Sequence, residues 1–213
     1  MRSYTVIFLM SLTFWGLIGC TSSYGVNFVT NNVAVLTIGK TTIKEATEYF
    51  GDPLLKESVS RDSTESIVLT YRYDEKNHAF FERINKKRLE LEFVDSVLNA
   101  FVYSNSFDED STDFDSNISS KLAINKTTKE DVFRLMGRRG GDIRLPSELV
   151  KSNLSESIIK DMPTTAKELL LYQYYYSKKV KFGEVYALRY KSLLLFFDSN
   201  ATLIKTYKES NTD

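Results

Sequence analysis

The chain has 213 residues and carries 28 Lys and Arg against 28 Asp and Glu, a formal net charge of zero. That balance leaves no basic footprint for nucleic acid, so no nucleic-acid partner is expected. One cysteine and one histidine exclude an internal disulfide and give no His/Cys set for zinc, so no metal or cofactor is expected.

Residues 1–19 open on Met1-Arg2, and TVIFLMSLTFWGLIG then runs almost wholly apolar. The run is shorter than the roughly 20 residues a spanning helix needs and reads as a secretory signal peptide. Residues 20–34 are short and polar and read as a flexible tether. Thr42-x-x-Glu45 is a capping box. It opens a helix over 41–51 whose apolar stripe is Ile43, Ala46, Tyr49 and Phe50. Gly51 ends the helix and Pro53 blocks its continuation. Strands follow at 66–73, 88–93 and 97–103. Residues 88–93 alternate, with Leu89, Leu91 and Phe93 on one face and Glu90 and Glu92 on the other, which reads as a solvated face. Residues 107–120 form an acidic linker. A second capping box, Thr128-x-x-Asp131, precedes Val132, Leu135, Met136 and Gly137. Residues 138–168 read as an inserted loop carrying a short helix. Strands at 169–176, 184–197 and 202–207 close the chain, with a turn at 198–200.

Two of these stretches repeat. IGKTTIKEATEYFG at 38–51 returns as INKTTKEDVFRLMG at 124–137, and LELEFVDSVLNAFVY at 89–103 is answered by LLLFFDSNATLIKTY at 193–207. The spacing is too long for a solenoid. The fold class expected is α+β: two tandem units at 35–106 and 121–213, each a short helix on a three-stranded antiparallel sheet. Neither helix is long enough to stand alone, so each must lie on its sheet.

Candidate chemistry is sparse. His78 is a lone histidine in a turn-like setting and reads as a loop residue rather than a general base. An EF-hand loop starting at Asp108 would need Gly at its sixth position and Glu at its twelfth. It has Asp113 and Ser119. Arg138 and Arg139 follow a helix end, where cations complement the helix dipole; the other reading is a phosphate contact, to a lipid head group or lipopolysaccharide. Tyr172, Tyr174 and Tyr176 share one face of a strand, and Tyr71 and Tyr73 flank the matching place in the first unit. With Leu171 and Tyr175 taken as core, the three-tyrosine face becomes a candidate protein-contacting surface, since tyrosine is enriched at binding hot spots.

Leu17-Ile18-Gly19-Cys20 resembles the bacterial lipoprotein box. That resemblance implies acylation of Cys20, the only cysteine, with palmitate-type chains. More than one chain gives stable anchoring. Thr21 in place of Asp implies, again by resemblance, the outer membrane facing the periplasm. The phrase carried by Gly39, Thr41, Gly51 and Pro53 resembles the SmpA/OmlA fold, that of the small E-subunit lipoprotein of the barrel-assembly machinery. Lys40 departs from its pattern, as do Asn125 and Arg139 in the second copy. A tandem pair also resembles the β-lactamase inhibitory proteins. These resemblances imply a non-catalytic, lipid-anchored protein-binding or assembly module. Inhibition of an envelope enzyme and hydrolysis of an envelope polymer are the alternatives.

Overall fold

The computed structural model describes residues 21–61, 64–77, 83–179 and 186–211; Cys20 and His78 lie outside them. Among the described residues nine strands form one sheet, and the class is α+β. In chain order the elements are β1 (Thr21–Gly25), α1 (Ile43–Phe50), β2 (Leu55–Arg61), β3 (Thr64–Asn77), β4 (Arg83–Val94), β5 (Val97–Asn105), α2 (Lys129–Met136), β6 (Gly141–Arg144), α3 (Glu148–Asn153), α4 (Glu156–Lys160), β7 (Glu168–Lys179), β8 (Tyr186–Phe197) and β9 (Leu203–Ser210). β1 and β2 both pair with β3, and the order then runs β3-β4-β5-β6-β7-β8-β9. β4 also pairs directly with β7 through Arg83–Lys178 and Ile84–Ser177. β5 and β6 are thus a wedge that separates β4 from β7 at one end only.

Three expectations change. Residues 21–25 of the presumed tether are a strand paired with β3, and a 3-10 turn follows at Thr30–Val35. Each helix is followed by four strands rather than three, because β2 and β6 precede the expected ones. β2 is largely polar and β6 is only four residues long, and neither shows the apolar alternation that marks a strand. The insertion holds two short helices as well as β6.

The two capping boxes form as expected. Thr42 Oγ1 accepts from the Glu45 N–H at 3.3 Å while the Glu45 carboxylate accepts from the Thr42 N–H at 2.8 Å. Thr128 and Asp131 repeat this at 3.2 and 2.9 Å. The same local geometry recurs further along each unit. Gly51 and Gly137 close the helices at φ 76° and 75°. The Tyr71 hydroxyl donates to the Gly51 carbonyl at 3.1 Å, and the Tyr172 hydroxyl to that of Gly137 at 2.8 Å. A register shift falls between Glu92 and Phe93 and again between Phe196 and Phe197. Asn125 stands at φ 62° where Gly39 stands at φ 76°. Asparagine is among the few residues that tolerate this left-handed region, so the loss of glycine in the second copy leaves the backbone path open.

Hydrogen bonds from the Thr42 backbone and hydroxyl hold the Glu45 carboxyl below its ordinary pKa, and Thr128 does the same to Asp131. A depressed native pKa means stability that is present above the unfolded value and lost as pH falls through the native one. Glu45→Ala and Asp131→Ala should therefore melt below the wild type at neutral pH, and the gap should close once acid protonates both carboxyls. Thermal melts across acidic pH check this; a constant gap contradicts it.

Both faces of the sheet are covered near its middle. On one face, α1 and the 3-10 turn bury Phe28, Phe50, Leu69, Tyr71, Leu89, Leu91 and Phe93. α2 buries Leu170, Tyr172, Leu193, Leu195, Phe197 and Leu203 alongside. On the other face, α3 and α4 bury Val68, Ala100, Val102, Ile143, Leu169, Leu171, Leu194 and Phe196. Gly140 and Gly141 admit the wedge. A Cβ at Gly140 would lie 2.9 Å from the Leu171 carbonyl oxygen, and one at Gly141 3.0 Å from that of Phe101. Both obstacles are backbone, so any side chain here would force the strands apart.

Candidate functional site

Glu90 and Glu92 are not a solvated face. They are 4% and 2% exposed, because the insertion folds over them. Glu92 Oε1 accepts from the backbone N–H of Glu148 at 2.9 Å, the first residue of α3. Glu90 Oε2 accepts from Asn153 Nδ2 at 2.7 Å, at the other end of the same helix. The rise from 148 to 153 is about 7.5 Å, and two strand residues span about 6.8 Å. The lengths match, so two glutamates at strand spacing pin both ends of one short helix. Glu92 also satisfies an orphan N–H and sets negative charge at the positive end of the helix dipole.

α3 and α4 cover only part of their face. Beyond Asn153 the sheet is open, and a groove of about 560 Å³ runs across β3, β4, β7 and β8. Its floor is Thr70, Arg72 and Asp74 from β3, Arg88 from β4, Gln173 and Tyr175 from β7, and Tyr190 and Ser192 from β8. These side chains converge because β4 and β7 are neighbours where the wedge ends. Leu54, Leu55 and Leu188 stand at its rim, the last 51% exposed. Arg72 Nη2 donates to Asp74 Oδ2 at 2.6 Å, and this bond holds the guanidinium above its ordinary pKa. Arg88 pairs with Glu90. Burial pushes the Tyr175 hydroxyl up, against the pull of the Arg88 charge and a hydrogen bond with Ser104. The floor thus presents fixed cations, acceptors and aromatic edges, and the rim presents bare leucine.

The predicted tyrosine surface is on the other side. Tyr71, Tyr172 and Tyr174 are 0%, 3% and 7% exposed and lie on the face that carries α1 and α2. Burial pushes the Tyr71 hydroxyl up to about 12. Tyr73 is half-buried, stacked on Phe107 at 5.8 Å with its hydroxyl donating to Glu75 at 3.0 Å. Tyr176 is half-buried, tilted against Tyr174 at 5.7 Å. The parity is reversed because Leu171 and Tyr172 are both core, one on each face. Gln173 and Tyr175, past the reach of α3, are half-buried rather than covered. Strand alternation does group Arg72 with Asp74, Gln173 with Tyr175, and Leu188 with Tyr190; register and the covering helices decide which group is open.

Arg138 and Arg139 are exposed. Arg138 lies over the Phe133 ring at 4.0 Å and pairs with Glu130 at 3.2 Å. Both arginines line a second cavity, on the face that carries α1 and α2. Among the described residues no group of three or more His, Cys, Asp or Glu could hold a metal ion, and no helix is long and apolar enough to cross a membrane.

No protein-family model matches this sequence, and no curated protein matches it. Among solved structures, a proposed β-lactamase inhibitor protein from Streptococcus mutans aligns over 98% of both chains, at 12% identity and a TM-score of 0.43.

Proposed function

We propose that this protein is a non-catalytic binding module, anchored to the bacterial outer membrane through lipid on Cys20, whose groove holds a protein partner. The observation that carries the reading is the groove itself, where fixed arginines and tyrosines are flanked by the exposed leucines Leu54, Leu55 and Leu188. Arg and Tyr dominate protein-binding hot spots, and an apolar rim excludes water from them. The volume is that of a pocket for a few side chains, so the partner inserts a short protruding segment rather than a flat face. Cys20 directly precedes β1, and β1 is paired to β3 from Thr21 onward. An anchor there would hold the β3–β4 end of the sheet close to the bilayer.

Photo-crosslinking in whole cells from position 188 should capture one defined envelope protein, and Arg88→Ala should weaken that capture at least tenfold. Crosslinking from Leu135, exposed on α2, should not capture it. Equal capture from both positions, or capture indifferent to Arg88, contradicts the groove. The partner's class separates the variants of the reading: an assembly-machinery subunit supports assembly, and an enzyme whose turnover falls on titration with the purified protein supports inhibition.

A further inference from the structure

The second cavity, of about 460 Å³, lies on the face of the sheet opposite the groove and joins four parts of the chain. Thr30 comes from the 3-10 turn and Tyr103 from β5. Asp110 comes from the connecting segment, and Arg138 and Arg139 follow α2. Tyr103 is 3% exposed, and its buried hydroxyl makes no hydrogen bond of normal geometry, although the Asn105 and Thr30 side chains are polar neighbours close enough to act on it. Buried polar groups in native proteins are nearly always satisfied, and an exception calls for an explanation. Burial pushes this hydroxyl up to about 12, so it keeps its proton at neutral pH and can donate.

Its neighbours are complementary in sign. The charges of both Asp110 and Arg139 reach the hydroxyl. Arg139 has no ion-pair or hydrogen-bond partner among the described residues, whereas Arg138 is fixed by Phe133 and Glu130. Asp110 accepts from the Thr30 hydroxyl through Oδ2, which leaves Oδ1 to accept from elsewhere. With Arg138 paired to Glu130, Arg139 and Asp110 leave the wall one cation and one anion. An anion alone would meet Asp110, and a cation alone would meet the arginines. A ligand carrying both charges a few ångströms apart satisfies the wall and the buried hydroxyl together.

We propose that this cavity binds a phosphate-amine zwitterion of the phosphoethanolamine type, its phosphate on Arg139 and the Tyr103 hydroxyl, its ammonium on Asp110. Guanidinium and hydroxyl donors suit a phosphate oxygen, and an ammonium N–H suits a carboxylate oxygen such as Asp110 Oδ1. The same chemistry is presented by a free phosphorylated amine and by a membrane phospholipid head group.

Calorimetric titration of the purified mature chain with O-phosphoethanolamine tests this, with phosphocholine and inorganic phosphate as comparisons. Phosphocholine keeps both charges but has no N–H. The expected result is saturable binding of O-phosphoethanolamine at least tenfold tighter than of either comparison. Arg139→Gln and Asp110→Asn should each weaken it about tenfold, and Tyr103→Phe severalfold with no fall in melting temperature. Co-flotation with phosphatidylethanolamine but not phosphatidylcholine vesicles, lost in Arg139→Gln, assigns the head group as the source; binding of the free compound without flotation assigns a small solute. No saturable binding overturns the proposal. Equal binding of inorganic phosphate, or variants indistinguishable from wild type, also overturns it. Melting temperatures of all three variants separate loss of the site from loss of the fold.

Discussion

Phe197→Ala is expected to destabilise the protein by about 3–5 kcal/mol, and Phe93→Ala by a similar amount. Both rings are fully buried, and each sits beside the register shift of its hairpin. Truncating either removes a ring's worth of transfer free energy and leaves a cavity that rigid strands close only in part. The informative part is which transition moves. Phe93 packs under α1 and Phe197 under α2, yet one sheet and one shared layer of α3 and α4 join the halves. Either substitution should therefore shift a single cooperative unfolding transition, roughly 2–4 °C per kcal/mol for a chain of this size. Denaturant melts followed by far-ultraviolet dichroism and by tyrosine fluorescence should coincide in both variants. Two separated transitions, with Phe197→Ala moving only one of them, contradict the joined sheet.

Glu92→Ala is expected to destabilise by about 1–3 kcal/mol, because it removes the charged acceptor of the part-buried Glu148 N–H at the start of α3. Asn99 Nδ2, at 3.3 Å from Oε2, loses an acceptor at the same time. Glu92→Gln keeps an acceptor oxygen and should retain most of the stability. The consequence also reaches the groove. α3 carries Asn153, which lines it, and α3 is held by Glu92 at its first residue and Glu90 at its last. Glu92→Ala should therefore weaken partner capture from position 188 even though the carboxylate is no part of the groove floor. Urea denaturation measures the first effect and crosslinking yield the second. Retained stability in Glu92→Ala would show that the glutamate does not pin the helix.

The local features were legible where a few neighbouring residues decide the structure. Thr42 with Glu45, and Thr128 with Asp131, specify their helix starts by hydrogen bonds within one turn, and the glycines at 51 and 137 end them. The alternation of Leu89, Leu91 and Phe93 gives a strand and its core face. Long-range covering was not legible. Glu90 and Glu92 look like solvent-facing residues to any rule that reads one strand, and only the insertion returning over them makes them anchors. The tyrosines of β7 were placed on the wrong side for the same reason, since a strand buried on both faces in its middle has no polar side to read. β2 was missed because it is largely polar and β6 because it is only four residues long, and neighbouring strands hold both in place. Of the site, the Arg72 position was in view from its tyrosine neighbours, while Arg88, Leu188 and Tyr190 depend on register across four strands.

The claim on which the functional reading stands is that the sheet opens to solvent on the side of Arg72, Tyr175 and Leu188, and not on the side of Tyr172 and Tyr174. Thiol-labelling rates measure this directly, using single cysteines at 72, 175 and 188 and at 172 and 174, in a chain with Cys20 replaced by serine. Labelling at the first three that is faster than at 172 and 174 by at least tenfold is the predicted result. Fast labelling at 172 and 174 with protection at 72, 175 and 188 would place the open face where the tyrosines are and contradict the account.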